Sequence, residues 1–382
     1  MAVVKHTTNE VGTHQRTASE EALRHDVRQF VADEAAAGRI TLMPDSWVQA
    51  YDADFSRRLG DRGWLGMTWP ARYGGHERSA LDRFVVIEEL LAAGAPVSAH
   101  WLADRQTGPL LLRFGTEEQR RRFLPDIAAG RLFVSAGLSE PDTGSDLASV
   151  RTKATPVEGG WRVTGRKVWT TNAYRNQWIL TLLRSSPDGP KHAGLSQMFI
   201  ALDAPGVAVR PIETMGGQAH FAEVTFDDVF VPHGDVVGDV GGGWQQVTSE
   251  LSYERSGPER YLSSFPLLAV MLAELELTDD AAAEVGVLAA RLWSLRCLSV
   301  GVQRLLDQHV DVTVQAALVK DCGNRLEKDV VQLCHRLICR SAQPPSPGLA
   351  EFLRHALLAA PTFSLRGGTV EILRGIVAKG LA

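Results

Sequence analysis

The sequence predicts an α+β protein in which a β-domain separates two helical regions, and three observations carry that expectation. Apolar residues recur at three- and four-residue steps before about residue 130 and again from Trp244 onward, whereas between Arg131 and Pro232 the period moves toward two. Turn signals at Glu158-Gly-Gly160 and Thr164-Gly165 punctuate that middle stretch. A chain of 382 residues also exceeds what one core usually serves, so two or three packed substructures are expected. The expected division is a flexible leader 1–18, an N-terminal helical domain 19–130, a β-domain 131–240 and a C-terminal antiparallel helical bundle 241–382.

Residues 1–18 are polar and aperiodic. From Glu20 to Ala37, Leu23, Val27, Phe30 and Val31 form one apolar stripe of an amphipathic helix, and Asp54 to Gly60 repeats the pattern briefly with Phe55 and Leu59. A long apolar helix is expected from Ala80 to about Gly94. It carries Glu88 and Glu89, which diverge by about 100° around a helix, so at most one of them can face a given site and a solvated or structural role is expected for the pair. Thr116 with Gln119 three positions on is a capping box, Pro125 is expected to close the helix that follows, and Arg120, Arg121 and Arg122 to cover its face.

Strands are expected around Trp161 to Val163, Trp178 to Leu183, Met198 to Leu202 and Val207 to Pro211. The glycine run 241–243 lacks the Lys-Ser/Thr of a phosphate loop and a βαβ frame, so it reads as a hinge into a helix. Helices are then expected over Trp244 to Leu275, kinked at Pro258 and Pro266, and over Ala281 to Leu306, Val312 to Leu337 and Ala350 to Leu358.

A net charge of -5 and 22% charged residues lack the basic excess of a nucleic-acid binder. Cys297, Cys322, Cys334 and Cys339 include no CxxC pair, so neither a zinc site nor a disulfide framework is expected. The N-terminus has no apolar core of a signal peptide, and no run reads as a membrane span. A cytoplasmic protein with no membrane partner is the expectation.

The chemistry centres on Gly137-Leu-Ser-Glu-Pro-Asp-Thr-Gly-Ser-Asp146 and, some twenty residues later, Gly165-Arg-Lys-Val-Trp-Thr-Thr-Asn172. Glycines and small hydroxyl residues let backbone N–H groups approach a flat or anionic ligand. An indole beside Thr-Thr-Asn offers stacking and edge hydrogen bonds to a planar heteroaromatic ring such as a flavin. Both segments resemble the acyl-CoA dehydrogenase family, whose middle domain carries a Thr/Ser-Glu-Pro-x-x-Gly-Ser-Asp signature and a Lys-x-Trp-x-Thr-Asn segment. Three more stretches resemble that family in order: Gly63-Trp to Tyr73-Gly-Gly75, Phe226-Asp-Asp-Val-Phe-Val-Pro232, and Gly368-Thr-Val-Glu-Ile-Leu-Arg374.

The resemblance implies a helical domain, a β-barrel and a helical bundle, an FAD cofactor, and removal of an α-proton from an acyl thioester while a β-hydride goes to the flavin. It places Leu138, Ser139, Gly144 and Ser145 around ring and substrate, Trp169 and Thr171 beside the ring and Thr369 near its edge. Many relatives carry the catalytic glutamate immediately before the Gly-Thr of the C-terminal motif, where this chain has Gly367. The backbone N–H there can still take the thioester oxygen. Others draw the base from a Leu-x-x-Glu-Arg pattern after the β-domain, which Leu251-Ser-Tyr-Glu-Arg255 matches, so Glu254 is the expected base, with Arg255 steadying charge beside it; Glu250 and Glu371 are weaker alternatives. A desolvated carboxylate is the stronger base.

Two family segments that hold the flavin diphosphate across a dimer interface are not intact. No Arg-x-x-Phe-Gly follows Glu254, and the Gln-x-x-Gly-Gly-x-Gly loop reads Gln332-Leu-Cys-His-Arg-Leu, without glycines. A dimer or tetramer containing a homologous, non-identical subunit is therefore expected, acting on acyl-CoA or an acyl-carrier-protein substrate and passing electrons to an electron-transfer flavoprotein. A carrier-protein-linked dehydrogenase or flavin monooxygenase of the same fold, and a catalytically silent partner subunit, are the alternatives.

Overall fold

The computed structural model describes residues 17–308 and 310–381; the side chains at 251–254 and 307 lie outside the described residues, as does nearly all of the expected leader. Contacts divide the chain into two compact units, one formed by residues up to Ser46, Ser79–Ala95 and Arg255 onward, the other by Trp47–Arg78 and Pro96–Glu254.

The sheet-bearing unit begins with short helices. α1 (Ala18–Ala36) belongs to the other unit, α2 (Ser46–Gln49) lies at the boundary, and α3 (Ala53–Asp61) starts where Asp52 accepts the Phe55 N–H at 2.7 Å. Beyond α4 (Ala80–Ala93), again of the other unit, a π-helical turn at Ala103–Thr107 leads into α5 (Gly108–Phe114) and α6 (Glu117–Ala128). Thr116 and Gln119 form the expected capping box. Pro125, expected to end α6, lies inside it. A proline lacks one donor and disfavours the helical conformation only at its predecessor, and the turn up to Ala128 closes through the Ala129 N–H on the Pro125 carbonyl.

Seven strands then form one curled sheet: β1 (Val134–Gly137), β2 (Lys153–Val157), β3 (Gly160–Thr171), β4 (Trp178–Arg184), β5 (Leu195–Ala201), β6 (Val207–Glu213) and β7 (Ala219–Pro232). Their order is β1-β4-β2-β3-β7-β6, with β5 paired to β4. Ile179, Leu183, Met198, Val224 and Phe226 fill its core, while β4 and β5 are buried at nearly every position. α7 (Gly243–Glu254) leaves the sheet where the glycine run was read as a helix entrance, and an alanine at Gly243 would put Cβ 2.8 Å from the Leu195 carbonyl oxygen.

The all-helical unit contains α1, α4, α8 (Phe265–Glu274), α9 (Asp279–Asp307), α10 (Thr313–Arg340), α11 (Pro347–Ala359) and α12 (Val370–Leu381). The expected helix 244–275 is split rather than kinked. Pro258 starts a 3₁₀ turn at Pro258–Arg260 and Pro266 starts α8, each taking the early position where a missing N–H costs little. Residues 255–264, between α7 and α8, are nearly all buried. Glu88 and Glu89 are not solvated, since the buried Arg24 bridges both carboxylates and Arg296 grips Glu88 at 2.6 Å. One guanidinium fork spans the divergence of adjacent positions. Contrary to the reading of the sequence, one helix, Asp279–Leu306, is long and apolar enough by length and composition to cross a membrane, and 28% of its most apolar window is buried.

Candidate functional site

The signature loop leaves β1 at Gly137, whose neighbours Ile179 and Thr181 leave no space for a Cβ. Glu140 and Thr143 exchange backbone hydrogen bonds at 2.8 and 3.1 Å, closing a tight turn over Pro141-Asp142. Leu138 and Ser139 are half-buried, whereas Gly144 and Ser145 are exposed, and no atom lies within 4 Å of a Cβ built on Gly144.

Opposite this loop, β3 bulges between Lys167 and Thr170. Trp169 sits in the bulge at φ +59°, a left-handed conformation rare for a bulky residue, and is 58% exposed. Phe221 supports the indole edge-to-face with centroids 6.0 Å apart. Thr171 is half-buried, and its carbonyl accepts the Ser135 hydroxyl at 2.8 Å. Asn172, also left-handed at φ +55°, donates its side-chain amide to Ser98 Oγ at 2.7 Å and so fixes the strand end. The Val168 N–H donates to the Ser139 carbonyl at 2.9 Å, hooking bulge to loop. These residues suit a flat ring. An exposed indole, an open glycine and the buried Thr143 and Thr170 hydroxyls, which make no hydrogen bond, lie on two hooked segments.

Beneath them lies a pair that sequence reasoning missed. Lys167, fully buried, donates to Glu140 Oε1 at 2.8 Å and to the Leu138 carbonyl at 3.0 Å. The Glu140 carboxylate also takes the backbone N–H groups of Arg151 at 2.7 Å and Thr152 at 2.8 Å. Burial pushes the Lys167 ammonium down to about 8 against the pull of Glu140; burial works to raise Glu140, yet Lys167 and the backbone donors hold it below the usual carboxylate range. A charged residue at each motif position was the available signal.

Glu250 on α7 is 8% exposed and accepts from Gln197 Nε2 at 3.3 Å, beside a small cavity of about 60 Å³ bordered by Arg105, Pro109 and Leu110. Glu254 is the last residue of α7, and its side chain lies outside the described residues.

In the helical unit, Gly367 and Gly368 turn at φ +68° and +106°, conformations suited to glycine. Arg255, 7% exposed, donates its Nε to the Gly367 carbonyl at 3.1 Å. Arg366 pairs through both terminal nitrogens with the buried Asp45 at 2.5 and 2.9 Å. Behind Asp45, whose N–H donates to the Ser263 carbonyl, Glu327 accepts the Ser263 N–H at 2.8 Å. Burial pushes Glu327 up to about 7, partly offset by Arg366. Thr369 is half-buried, and its carbonyl accepts the Leu373 N–H within the first turn of α12. Glu371 is exposed, and hydrogen bonds from its own N–H and from Thr369 hold its carboxyl below the usual range. Gln332, at the position of the family's glycine loop, is exposed in the middle of α10, the helix expected over Val312 to Leu337.

Two family models match in chain order, the acyl-CoA dehydrogenase N-terminal domain over residues 17–131 and the acyl-CoA dehydrogenase middle domain over 135–229. The chain belongs to the acyl-CoA dehydrogenase family, whose members are FAD-dependent oxidoreductases. It is 38% identical over 241 residues to acyl-CoA dehydrogenase IpdE1 of Mycobacterium tuberculosis, a match spanning 62% of this chain and 63% of that relative. Among solved structures it resembles the Tcur3481-Tcur3483 steroid ACAD, with a TM-score of 0.83 and 26% identity over 96% of this chain and 98% of that one. The ChsE4-ChsE5 complex from Mycobacterium tuberculosis gives a TM-score of 0.80 at 26% identity over 97% and 100%.

Proposed function

We propose that the protein dehydrogenates an acyl-CoA thioester across its α,β bond, as one subunit of a heteromeric enzyme. The single observation that carries this reading is the strained, exposed Trp169 hooked to the signature loop, a flat shelf with hydrogen-bonding edges. FAD supplies the hydride acceptor for the β-hydrogen. Leu138, Ser139, Gly144, Ser145, Trp169, Thr171 and Thr369 would hold it. The Glu254 carboxylate takes the α-proton, converting the saturated thioester to the enoyl thioester. The Gly367 N–H steadies the thioester oxygen as negative charge develops there, and Arg255 binds the Gly367 carbonyl, fixing the peptide unit that follows it in the same turn. The exposed Glu371, with its carboxyl held low, is the poorer base.

The heteromeric part of the proposal rests on three features. The diphosphate segments are missing from the sequence, and Gln332 lies within a helix. α9 exposes Val287 and Trp293 at 61% and 51%, and α9 and α10 also border a groove of about 480 Å³ lined by Leu295, Leu298 and Leu318. Large exposed apolar surface of this kind marks association sites. The ChsE4-ChsE5 complex is among the similar structures. Electrons then pass to an electron-transfer flavoprotein, in a cytoplasmic setting.

The test is coexpression with a homologous subunit, measurement of flavin per chain, and an acyl-CoA screen with an artificial electron acceptor. Flavin retained by the pair and bleached by an acyl-CoA supports the proposal. A pair that carries no flavin, or flavin that no acyl thioester bleaches, refutes it. Bleaching by carrier-protein thioesters alone favours the biosynthetic alternative.

A further inference from the structure

We propose that the buried Glu140–Lys167 pair is a positioning device for the flavin, holding the signature loop and the Trp169 bulge in register whether or not the cofactor is present. The inference rests on the reading that these two segments hold FAD.

Lys167 is fully buried two residues before Trp169, and its ammonium is shared between Glu140 and the carbonyl of Leu138. It therefore touches both segments at once, at the root of the loop and at the start of the bulge. Glu140 extends the connection, because its two carboxylate oxygens also receive successive backbone N–H groups of Arg151 and Thr152, just ahead of β2. Four hydrogen bonds thus involve these two charged groups, with no solvent access at Lys167, an arrangement that admits one geometry. The Val168 to Ser139 hydrogen bond lies between them and depends on the same register.

A buried ion pair is weak evidence for stability, since apolar replacements often fold as well; its best-attested use is to fix register. Trp169 is costly to hold at positive φ, and the contacts around it must over-determine that conformation. The aromatic support from Phe221 reaches only the indole, whereas the backbone of the bulge is tied through Lys167 and Val168. A site that waits for its ligand in the bound geometry saves the ordering cost on binding.

The test compares the wild type, Lys167→Met, and the double variant Glu140→Gln/Lys167→Met, the last avoiding an unpaired buried carboxylate where the single change fails to fold. Hydrogen–deuterium exchange on the flavin-free chain is the first readout. The double variant is expected to raise exchange over 138–146 and 167–171 by roughly tenfold or more, with the remaining strands unchanged. FAD titration of the same proteins, with the homologous subunit where one is required, is the second; the dissociation constant is expected to rise by a comparable factor and the visible circular dichroism of bound flavin to weaken. Exchange in those two segments that matches the wild type overturns the proposal, as does a double variant that binds FAD with wild-type affinity and spectrum. A wild type that takes up no FAD refutes the flavin reading, and the exchange result then decides the register claim by itself.

Discussion

The two units offer different ways of building a functional turn. In the sheet-bearing unit, the loop 137–146 and the bulge at Trp169 are joined by contacts between residues fewer than thirty positions apart, all within or beside the two motifs. In the helical unit, the turn at Gly367 is held by Arg255, 112 positions away, and by the Arg366–Asp45 pair, 321 positions apart. Proximity in sequence made the first legible as a motif. The second is a product of tertiary packing between residues far apart in the chain.

Breaking the long-range pair is the most severe test of that contrast. Asp45→Ala leaves the mostly buried Arg366 without its carboxylate, and unfolding by denaturant is expected to show a loss of about 3 kcal/mol. A pH effect of similar size arises behind it. The Glu327 carboxyl is raised by burial from an ordinary 4.5 to about 7, so its contribution is complete below pH 4.5 and is lost as pH rises to about 7. Wild-type stability is expected to fall by up to about 3 kcal/mol across that window relative to Glu327→Gln, measured by denaturant midpoints at each pH.

Gly368→Ala is expected to cost about 2 kcal/mol, since the residue sits at φ +106° and the added Cβ meets Arg255 Nη2 at 3.3 Å. In the sheet-bearing unit, Trp169→Ala removes an exposed side chain and should leave the melting temperature nearly unchanged. The FAD dissociation constant is expected to rise about tenfold, read by titration, because stacking surface rather than folding energy is lost. A large loss of stability from Trp169→Ala, or none from Asp45→Ala, would erase the distinction between the units.

Much of the architecture was readable because it follows local rules. Helical periodicity located α1, α3 and α4, short apolar runs between turn signals located β4 to β6, and Thr116 with Gln119 marked the start of α6. Prolines were read less well, because their effect depends on position. Pro125 is carried inside a helix, while Pro258 and Pro266 start new turns instead of kinking an old one. Glu88 and Glu89 read as a solvated or structural pair, and the structural role could not be chosen because their partners, Arg24 and Arg296, come from distant helices. The motif residues of the candidate site could be named from the sequence, but the left-handed conformation of Trp169 and the burial of Lys167 beneath it could not, since φ and burial are set by the completed sheet.

The position of the base is the central claim, and single-turnover reduction of bound flavin by an acyl-CoA, without oxygen, tests it most directly. With FAD bound in all three proteins, Glu254→Gln is expected to slow bleaching by roughly three orders of magnitude or more, whereas Glu371→Gln should stay within a few fold of wild type. Bleaching that survives in Glu254→Gln, or disappears in Glu371→Gln instead, would contradict a proton abstracted from α7.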